Sequence, residues 1–316
     1  MLILRGILLF LMIFSKRSLV IARRSAMFTQ LIVSGILLGG VYALLSIGLS
    51  LILGVSKFIN FAHGDFVMIG AYMSFIFYIR CGLFPYYSWP LVILSAMIFG
   101  AIIFLVVKYT IGKKAENQML LTLGLSMILQ NSMLMIFRSD YKGIPSQFGS
   151  SINIGSAFFS QEQIITFVIA ITTTIAFLIF IQYSNIGRAM RAVGENRNTS
   201  KLMGINVKKV DLIVFLLGTI MACFAGALLI TIYPTTPTIG SAYNILAWIM
   251  VILGGVGHLY GALFAGFIIG VTETLTGFYL GADLRQLVYF ILFVIILVIC
   301  PEGLFSRFSF RKVKRA

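Results

Sequence analysis

The stretch LIVFLLGTIMACFAGALLITIY, residues 212–233, contains no charged side chain and no proline. An α-helix rises about 1.5 Å per residue, so a stretch of this length can cross the hydrocarbon core of a bilayer, which is about 30 Å thick. Comparable apolar runs recur along the chain, at 88–107, 119–137, 163–183, 258–278 and 284–300. The sequence therefore predicts an all-α fold, a polytopic bundle of transmembrane helices.

The composition excludes a soluble globular domain. Hydrophobic residues make up 60% of the chain, charged residues make up 10%, and the mean hydropathy is +1.04. Soluble domains carry about 25% charged residues, because their surface must meet water. The three cysteines have no paired spacing, so we expect them to act as small apolar residues and not as disulfide partners or metal ligands: Cys81, Cys223 and Cys300.

The net charge of +15 could indicate nucleic-acid binding, but its distribution favours a membrane topology. Twenty of the 24 Lys and Arg residues lie in the ends of the chain and in a few connections: five in 1–26, Lys57, three in 108–118, six in 184–211 and five in 301–316. Cytoplasmic loops carry such an excess of positive charge. We therefore expect a bilayer partner, no nucleic acid, both termini in the cytoplasm and an even number of spans.

Two apolar regions complicate the number of spans. Residues 28–80 contain several glycines and a polar group, and we expect them to divide into 28–45, 46–59 and 62–79. Residues 244–257 are expected to form one short span. The sequence thus predicts about ten spans, two of them short or interrupted, with eight as the alternative if the short pieces re-enter the membrane or merge with their neighbours.

The chain is expected to form a single membrane domain, at 27–306, followed by a basic cytoplasmic tail at 307–316. Residues 1–26 form an extension that we expect to be disordered or interfacial, since its apolar part is too short to span a bilayer. A signal peptide and a true start at Met27 are the two alternatives for this extension.

The polar group and the glycine-rich turn that interrupt the apolar regions are candidate gate or pathway residues: Asn60, His63, Gly64 and Asp65, and Gly254, Gly255, Gly257 and His258. Irregular backbone at membrane depth is tolerated only against protein or a wet cavity, and broken helices at such a cavity can bind a zwitterionic solute. Alternatively, both breaks are helix caps at the cytoplasmic surface, and their position near the predicted inner face favours this alternative. If they do act on the solute, we therefore expect an inner gate and not a central binding site.

Residues 185–206 are predicted to form a cytoplasmic loop of two short helices with a break at Gly194-Glu195-Asn196. Asn196 or Asn198 can cap the second helix, and Gly204 can end it in the left-handed conformation. Leu202 and Met203 would form an apolar knob, which we define as these two residues, within a basic collar of Arg188, Arg191, Arg197 and Lys201. A helix that docks in a groove of a soluble partner has this character, although a solvated basic loop would also fit.

This loop resembles the coupling loop of branched-chain amino-acid ABC-transporter permeases of the LivH type. Two further stretches are similar to the same family, 48–72 with its Ile-Asn-Phe-Ala-His-Gly sequence and 253–262, followed by Pro-Glu-Gly-Leu-Phe at 301–305. The chain departs from the family pattern at Thr199-Ser200, where two alanines are common, and at His258 and Tyr260, where Ser and Pro are often found. The resemblance implies that one set of residues couples this chain to an ATPase subunit: Arg188, Arg191, Glu195, Arg197, Leu202, Met203 and Gly204.

The resemblance implies an importer permease in a bacterial or archaeal cytoplasmic membrane. The expected partners are a second, LivM-like permease, two ATP-binding cassette subunits and an external solute-binding protein. The chain contains no G-x-x-x-x-G-K-[ST] sequence, the loop that cradles nucleotide phosphates. We therefore expect no catalytic residue and no cofactor in this chain, with ATP and magnesium used by the partner subunits.

Three alternatives stay open from the sequence. Urea or short amides could replace branched-chain amino acids, because related permeases carry them. An ATP-independent secondary transporter or channel would need buried ion-coupling carboxylates, for which only Asp65 and Glu273 are plausible. A membrane-embedded enzyme would need clustered His, Asp or Glu, and the chain has only two histidines, far apart in sequence.

Overall fold

A computed structural model of the protein describes residues 2–149, 151–154, 157–301 and 303–305, and describes the backbone alone for 2–26, 153, 154 and 157. The backbone of residues 2–26 belongs to the first helix, and the disordered or interfacial character expected of the 1–26 extension stays a prediction. The predicted 307–316 tail lies outside the described residues. The described part forms eleven α-helices, one π-helical turn and one β-hairpin. The first half contains α1 (Leu2–Leu51), the π turn (Ile52–Ser56), α2 (His63–Cys81), α3 (Pro85–Val107), α4 (Ala115–Phe137), β1 (Ser151–Ile154) and β2 (Ala157–Ser160).

The named elements of the second half are all helices within the described residues. It contains α5 (Gln161–Tyr183), α6 (Asn185–Glu195), α7 (Arg197–Leu202), α8 (Val207–Leu229), α9 (Ile239–Gly254), α10 (Leu259–Tyr279) and α11 (Arg285–Ile299). The helix α5 separates the hairpin from α6 and α7. We call the end of the bundle that carries α6 and α7 the lower end, and the end that carries the hairpin the upper end.

The predicted membrane bundle is confirmed, but the predicted number of about ten spans is slightly too high. Among the described residues, seven helices are long and apolar enough to cross a membrane, and two further apolar helices are shorter, α9 and α11. Residues 27–56 form one continuous helix where the sequence analysis expected two spans. The remaining predicted spans each correspond to one helix.

Close packing explains why α1 is not broken at its glycines. A Cβ atom on Gly39 would lie 2.7 Å from the Cα of Phe267, and one on Gly48 would lie 2.9 Å from the carbonyl oxygen of Gly218. These glycines let α10 and α8 approach the α1 backbone, as small residues do in membrane helix pairs. Ser46 adds a hydrogen bond from its Oγ to the Ala262 carbonyl, at 2.8 Å.

The helices differ sharply in burial, which indicates which of them form the centre of the bundle. The described part of α1, together with α2 and α8, is mostly buried within the chain, whereas α4 is the most exposed of the seven long helices. The upper end of α1 meets the hairpin, since the Gln30 amide donates to the Phe158 carbonyl at 2.9 Å. Its lower end, at Ser56, meets α7. The side of the membrane on which the N-terminus lies depends on residues 1–26 and stays a prediction.

Candidate functional site

The first break in the helical bundle lies between α1 and α2. After the π turn, Lys57 adopts a left-handed backbone conformation with φ 50°, and the chain stays irregular until His63. The His63 ring lies 3.3 Å from the Leu45 carbonyl through Nε2. Leu45 precedes Ser56 by about three helical turns, roughly 15 Å along α1. Residues 57–62 therefore turn back into the bundle, and α2 begins well inside it.

A polar stripe on α4 satisfies this irregular segment. Gln118 accepts a hydrogen bond from the Ile59 backbone N–H at 2.8 Å, and Thr122 accepts one from the Phe61 N–H at 3.1 Å. These side chains are four residues apart and so share one face of the helix. Backbone groups at membrane depth must be paired within the protein, so the stripe is a specific complement to the break.

Asp65 lies where the first turns of α2 and α9 meet. A Cβ on Gly240, in the first turn of α9, would lie 2.1 Å from the Asp65 Oδ1. Gln130, on the same stripe of α4, donates to that oxygen at 2.8 Å. Both helix N-termini carry partial positive charge, which stabilises a carboxylate at this place.

Three buried polar atoms at this break have no hydrogen-bond partner within the described residues: Asn60 Nδ2, His63 Nδ1 and Asp65 Oδ2. Most buried polar atoms in proteins are paired, so unpaired ones beside a broken helix mark a place where water or a solute can bind. Asn244 of α9 completes the surroundings, since its Nδ2 donates to the Phe61 carbonyl at 2.5 Å. Trp248, one turn further along α9, stacks on the Phe61 ring with centroids 4.9 Å apart.

The second break follows α9 at the lower end. Gly255 and Gly257 have φ of 96° and 80°, a region that favours glycine. The Gly257 backbone packs against the π turn, where a Cβ on Gly54 would lie 2.7 Å from the Gly257 Cα. Gly254 packs on the Gly261 backbone, and His258 immediately precedes α10.

The two predicted groups therefore do not form one cluster. The structure brings Gly257 against the π turn at the lower end, whereas Asn60, His63, Gly64 and Asp65 lie deeper, beside α4 and the start of α9. The α4 stripe was not predicted from the sequence, although its signal is present as polar residues spaced by four in an apolar helix: Gln118, Thr122, Ser126 and Gln130.

The loop 185–206 has the predicted shape of two short helices. The Asn196 side chain caps α7 by accepting from the backbone N–H groups of Asn198 and Thr199, at 3.0 and 3.1 Å. Gly204 has φ 80° and follows the end of α7. The knob is open to solvent, with Leu202 87% and Met203 78% exposed.

The predicted basic collar divides into two parts. Arg188 and Arg191 are exposed, as is Glu195, and the two arginines bond to the Asn185 side chain and the Ile181 carbonyl. Arg197 instead turns inward and forms an ion pair with Asp211 of α8, at 2.5 Å. This arginine is therefore tied to the bundle.

Ser56, the last residue of the π turn, joins the ion pair. Its Oγ donates to Asp211 Oδ1 at 2.8 Å, and its carbonyl accepts from Arg197 Nη1 at 3.2 Å. Gly194 of α6, three residues before Arg197, packs on the same π turn. A Cβ on Gly194 would lie 3.1 Å from the Gly54 carbonyl oxygen. The two short helices thus contact the lower end of α1 at two points.

Comparisons with known proteins agree with this architecture. Residues 31–297 match the model of a family described as branched-chain amino acid transport system, permease component. The chain is 34% identical to the high-affinity branched-chain amino acid permease protein LivH of Salmonella typhimurium, over 90% of this chain and 98% of that protein.

Two further relatives cover nearly the whole chain. It is 31% identical to BraD of Pseudomonas aeruginosa, over 90% of this chain and 98% of that protein, and 30% identical to a probable LivH of Methanocaldococcus jannaschii, over 89% and 93%. No solved structure matches. Because the family model matches most of this chain, the chain belongs to the branched-chain amino acid transport system permeases.

Proposed function

We propose that this chain is the membrane subunit of an ABC importer that carries branched-chain amino acids into the cytoplasm, driven by ATP hydrolysis in separate subunits. The observation that carries the proposal is the link between the exposed knob and the bundle. Leu202 and Met203 offer an apolar surface to a soluble partner, and Arg197, on the same short helix, is bonded to Ser56 and Asp211. A force on α7 is thereby passed to the end of α1.

The contacts at the lower end suggest how such a force reaches the pathway. Gly54 lies between Gly194 of α6 and Gly257 of the second break, in backbone contact with both. Movement of α6 and α7 would shift the π turn and with it the segment 57–62, which leads to Asp65. Alternating access requires a rearrangement of this kind around a fixed solute site.

The partners follow from the same proposal. Two ATP-binding cassette subunits would bind the knobs of this chain and of a second, LivM-like permease, and would hold the ATP and magnesium. An extracytoplasmic solute-binding protein would deliver the solute at the upper end. Support for the solute class comes from the relatives, which are named as branched-chain amino acid permeases at 30–34% identity.

The lower end would face the cytoplasm, because the connections there carry most of the basic residues of the described loops. The C-terminus would then be cytoplasmic. A cytoplasmic N-terminus, as the charge pattern predicts, would require residues 1–26 to return across the membrane, since α1 meets the hairpin at its upper end. Reporter fusions at Met27 and at the two termini would assign these sides.

The decisive test is ATP-dependent uptake by proteoliposomes that contain the whole complex and the binding protein. Labelled leucine, isoleucine and valine should accumulate only with ATP, and urea and short amides should not compete. Uptake by this chain without any ATPase subunit would overturn the ABC assignment in favour of a secondary transporter or channel. Competition by urea alone would instead overturn the solute class.

A further inference from the structure

A groove of about 640 Å³ opens at the upper end, between the end of α2 and the end of α4. Its wall is apolar, with Phe75, Ile79 and Phe137, and its rim carries Arg80, Arg138 and Asp140. Small-molecule sites have volumes of about 300–1,000 Å³ and combine apolar walls with a few polar groups. The groove therefore has the size and the mixed lining of a binding site.

The rim has an excess of unpaired positive charge. Asp140 pairs with Lys142 at 3.2 Å, whereas neither Arg80 nor Arg138 has an ion-pair partner within the described residues. Arg138 also has φ 59°, a strained conformation for a residue with a side chain, of the kind that concentrates at functional sites. Guanidinium groups bind carboxylates through paired hydrogen bonds, so the rim suits a carboxylate attached to an apolar group.

Phe137, which lines the groove, belongs to an aromatic stack that lies between the groove and Asp65 along α2. The Phe137 and Tyr72 rings stack with centroids 4.4 Å apart, at an interplanar angle of 27°. Tyr72 is buried, and its hydroxyl has no partner within the described residues. Helical spacing puts Asp65, Ile69 and Tyr72 on one face of α2, so the seam between α2 and α4 runs from the groove, past the stack, to Asp65 and Gln130.

We propose that this groove binds the carboxylate and aliphatic side chain of the transported amino acid, and that the Tyr72–Phe137 stack closes it from Asp65. The proposal rests on the proposed function, because it requires the seam between α2 and α4 to be the solute pathway. Arg80 and Arg138 hold the carboxylate, and the apolar wall holds the side chain. Urea and short amides lack a carboxylate, so the arginines select against them.

Thiol labelling of the full complex in proteoliposomes without ATP tests the groove. The background carries Cys81→Ser and Cys300→Ser and keeps Cys223, which is buried. The variant Ile79→Cys, at a side chain that is 60% exposed, is treated with an anionic or a cationic methanethiosulfonate. Each labelling rate is divided by the rate at which the same reagent labels free cysteine. We expect the anionic reagent to be favoured at least about threefold, and L-leucine to slow labelling where urea does not.

The charge preference should disappear when Arg80→Gln and Arg138→Gln are combined. It should persist when Lys113→Gln and Lys114→Gln are combined, a matched loss of two exposed positive charges at the lower end. A preference that is unchanged without the two arginines, or labelling that leucine does not slow, would overturn the groove as a carboxylate site.

A second cysteine tests the stack. Ile69 is 4% exposed, so Ile69→Cys should resist labelling with Phe137 present and react in Phe137→Ala. Tyr87→Ala removes an exposed aromatic ring from the upper end of α3 and should leave Ile69→Cys protected. Size-exclusion chromatography verifies assembly, and Phe137→Leu, which preserves more volume, serves if Phe137→Ala does not assemble.

Equal labelling of Ile69→Cys with and without Phe137 would overturn the stack as a closure, as would protection in every variant. Neither labelling experiment uses ATP. Failure of the importer proposal would appear separately, as a complex without ATPase subunits or as uptake that does not need ATP.

Discussion

The Arg197 guanidinium lies 2.5 Å from the Asp211 carboxylate through Nη2 and Oδ2, and this ion pair joins the short helix α7 to the start of α8. Asp211 is buried, and its other oxygen accepts a hydrogen bond from Ser56 at 2.8 Å. Asp211 thus connects the 185–206 loop to α8 and, through Ser56, to the π turn.

Asp211→Asn should uncouple ATP hydrolysis from uptake, because loss of one partner of a buried ion pair costs several kcal/mol and frees α7 from the bundle. We expect leucine uptake to fall by at least about tenfold, which corresponds to only about 1.4 kcal/mol, while the complex still hydrolyses ATP. Lys208→Gln, an exposed change three residues away on α8, is the matched control. Leucine uptake and ATP hydrolysis are measured in parallel, and an equal fall in both rates would contradict the prediction.

Leu202→Asp should abolish binding of the ATPase subunits without unfolding the membrane chain. The side chain is 87% exposed, so a charge there costs little in the isolated chain but blocks an apolar contact. Co-purification of tagged ATPase subunits measures the effect, and Leu202→Met, which keeps the knob apolar, should bind normally. Retention of the ATPase subunits by Leu202→Asp would exclude the knob as the contact.

Gly204→Val should also uncouple, through the backbone. Gly204 has φ 80° with open space where a Cβ would point, so the substitution meets no neighbour but places a β-branched residue in the left-handed region, at about 1–2 kcal/mol. We expect reduced uptake with normal membrane insertion, measured by proteoliposome uptake and by protein level in the membrane. Gly124→Ala, at a helical glycine that also has open space, should leave uptake unchanged. Normal uptake by Gly204→Val would show that the turn at Gly204 is not needed for coupling.

Gln118→Leu should destabilise the protein, because it leaves the partly buried Ile59 N–H without its acceptor. An unsatisfied buried donor costs about 1–3 kcal/mol. A lower midpoint of thermal aggregation in detergent is the expected result. Ser132→Ala provides the control on the same helix, since its hydroxyl bonds only to the Ile128 carbonyl of α4 itself; an equal shift in both variants would contradict a specific role for the stripe.

The positions of the apolar helices could be predicted from the sequence because charge and hydropathy report burial in lipid directly. The continuity of α1 could not. Gly39 and Gly48 look like breaks until the backbones of Phe267 and Gly218 are known to lie against them. A glycine in an apolar run can either break a helix or allow a second helix to pack closely. Only its neighbours in space show which of the two applies.

The shape of the 185–206 loop could be predicted in outline, because capping by Asn196 and the turn at Gly204 are local. The inward orientation of Arg197 could not, since its partners Asp211 and Ser56 are fixed by the tertiary fold. Asp65 was identified as a candidate residue from its own segment, whereas its contact with Gly240 joins residues far apart in the sequence.

The α4 stripe also has a consequence for biosynthesis. A ribosome delivers α1 and α2 to the membrane before α4 has been made, so the amides of Ile59 and Phe61 emerge without their eventual acceptors on Gln118 and Thr122. The first two helices cannot reach their final arrangement until the fourth has entered the bilayer. A nascent chain arrested before residue 115 should therefore remain bound to the insertion machinery or be degraded. We expect residues 57–62 to reach their final conformation only after α4 has been inserted.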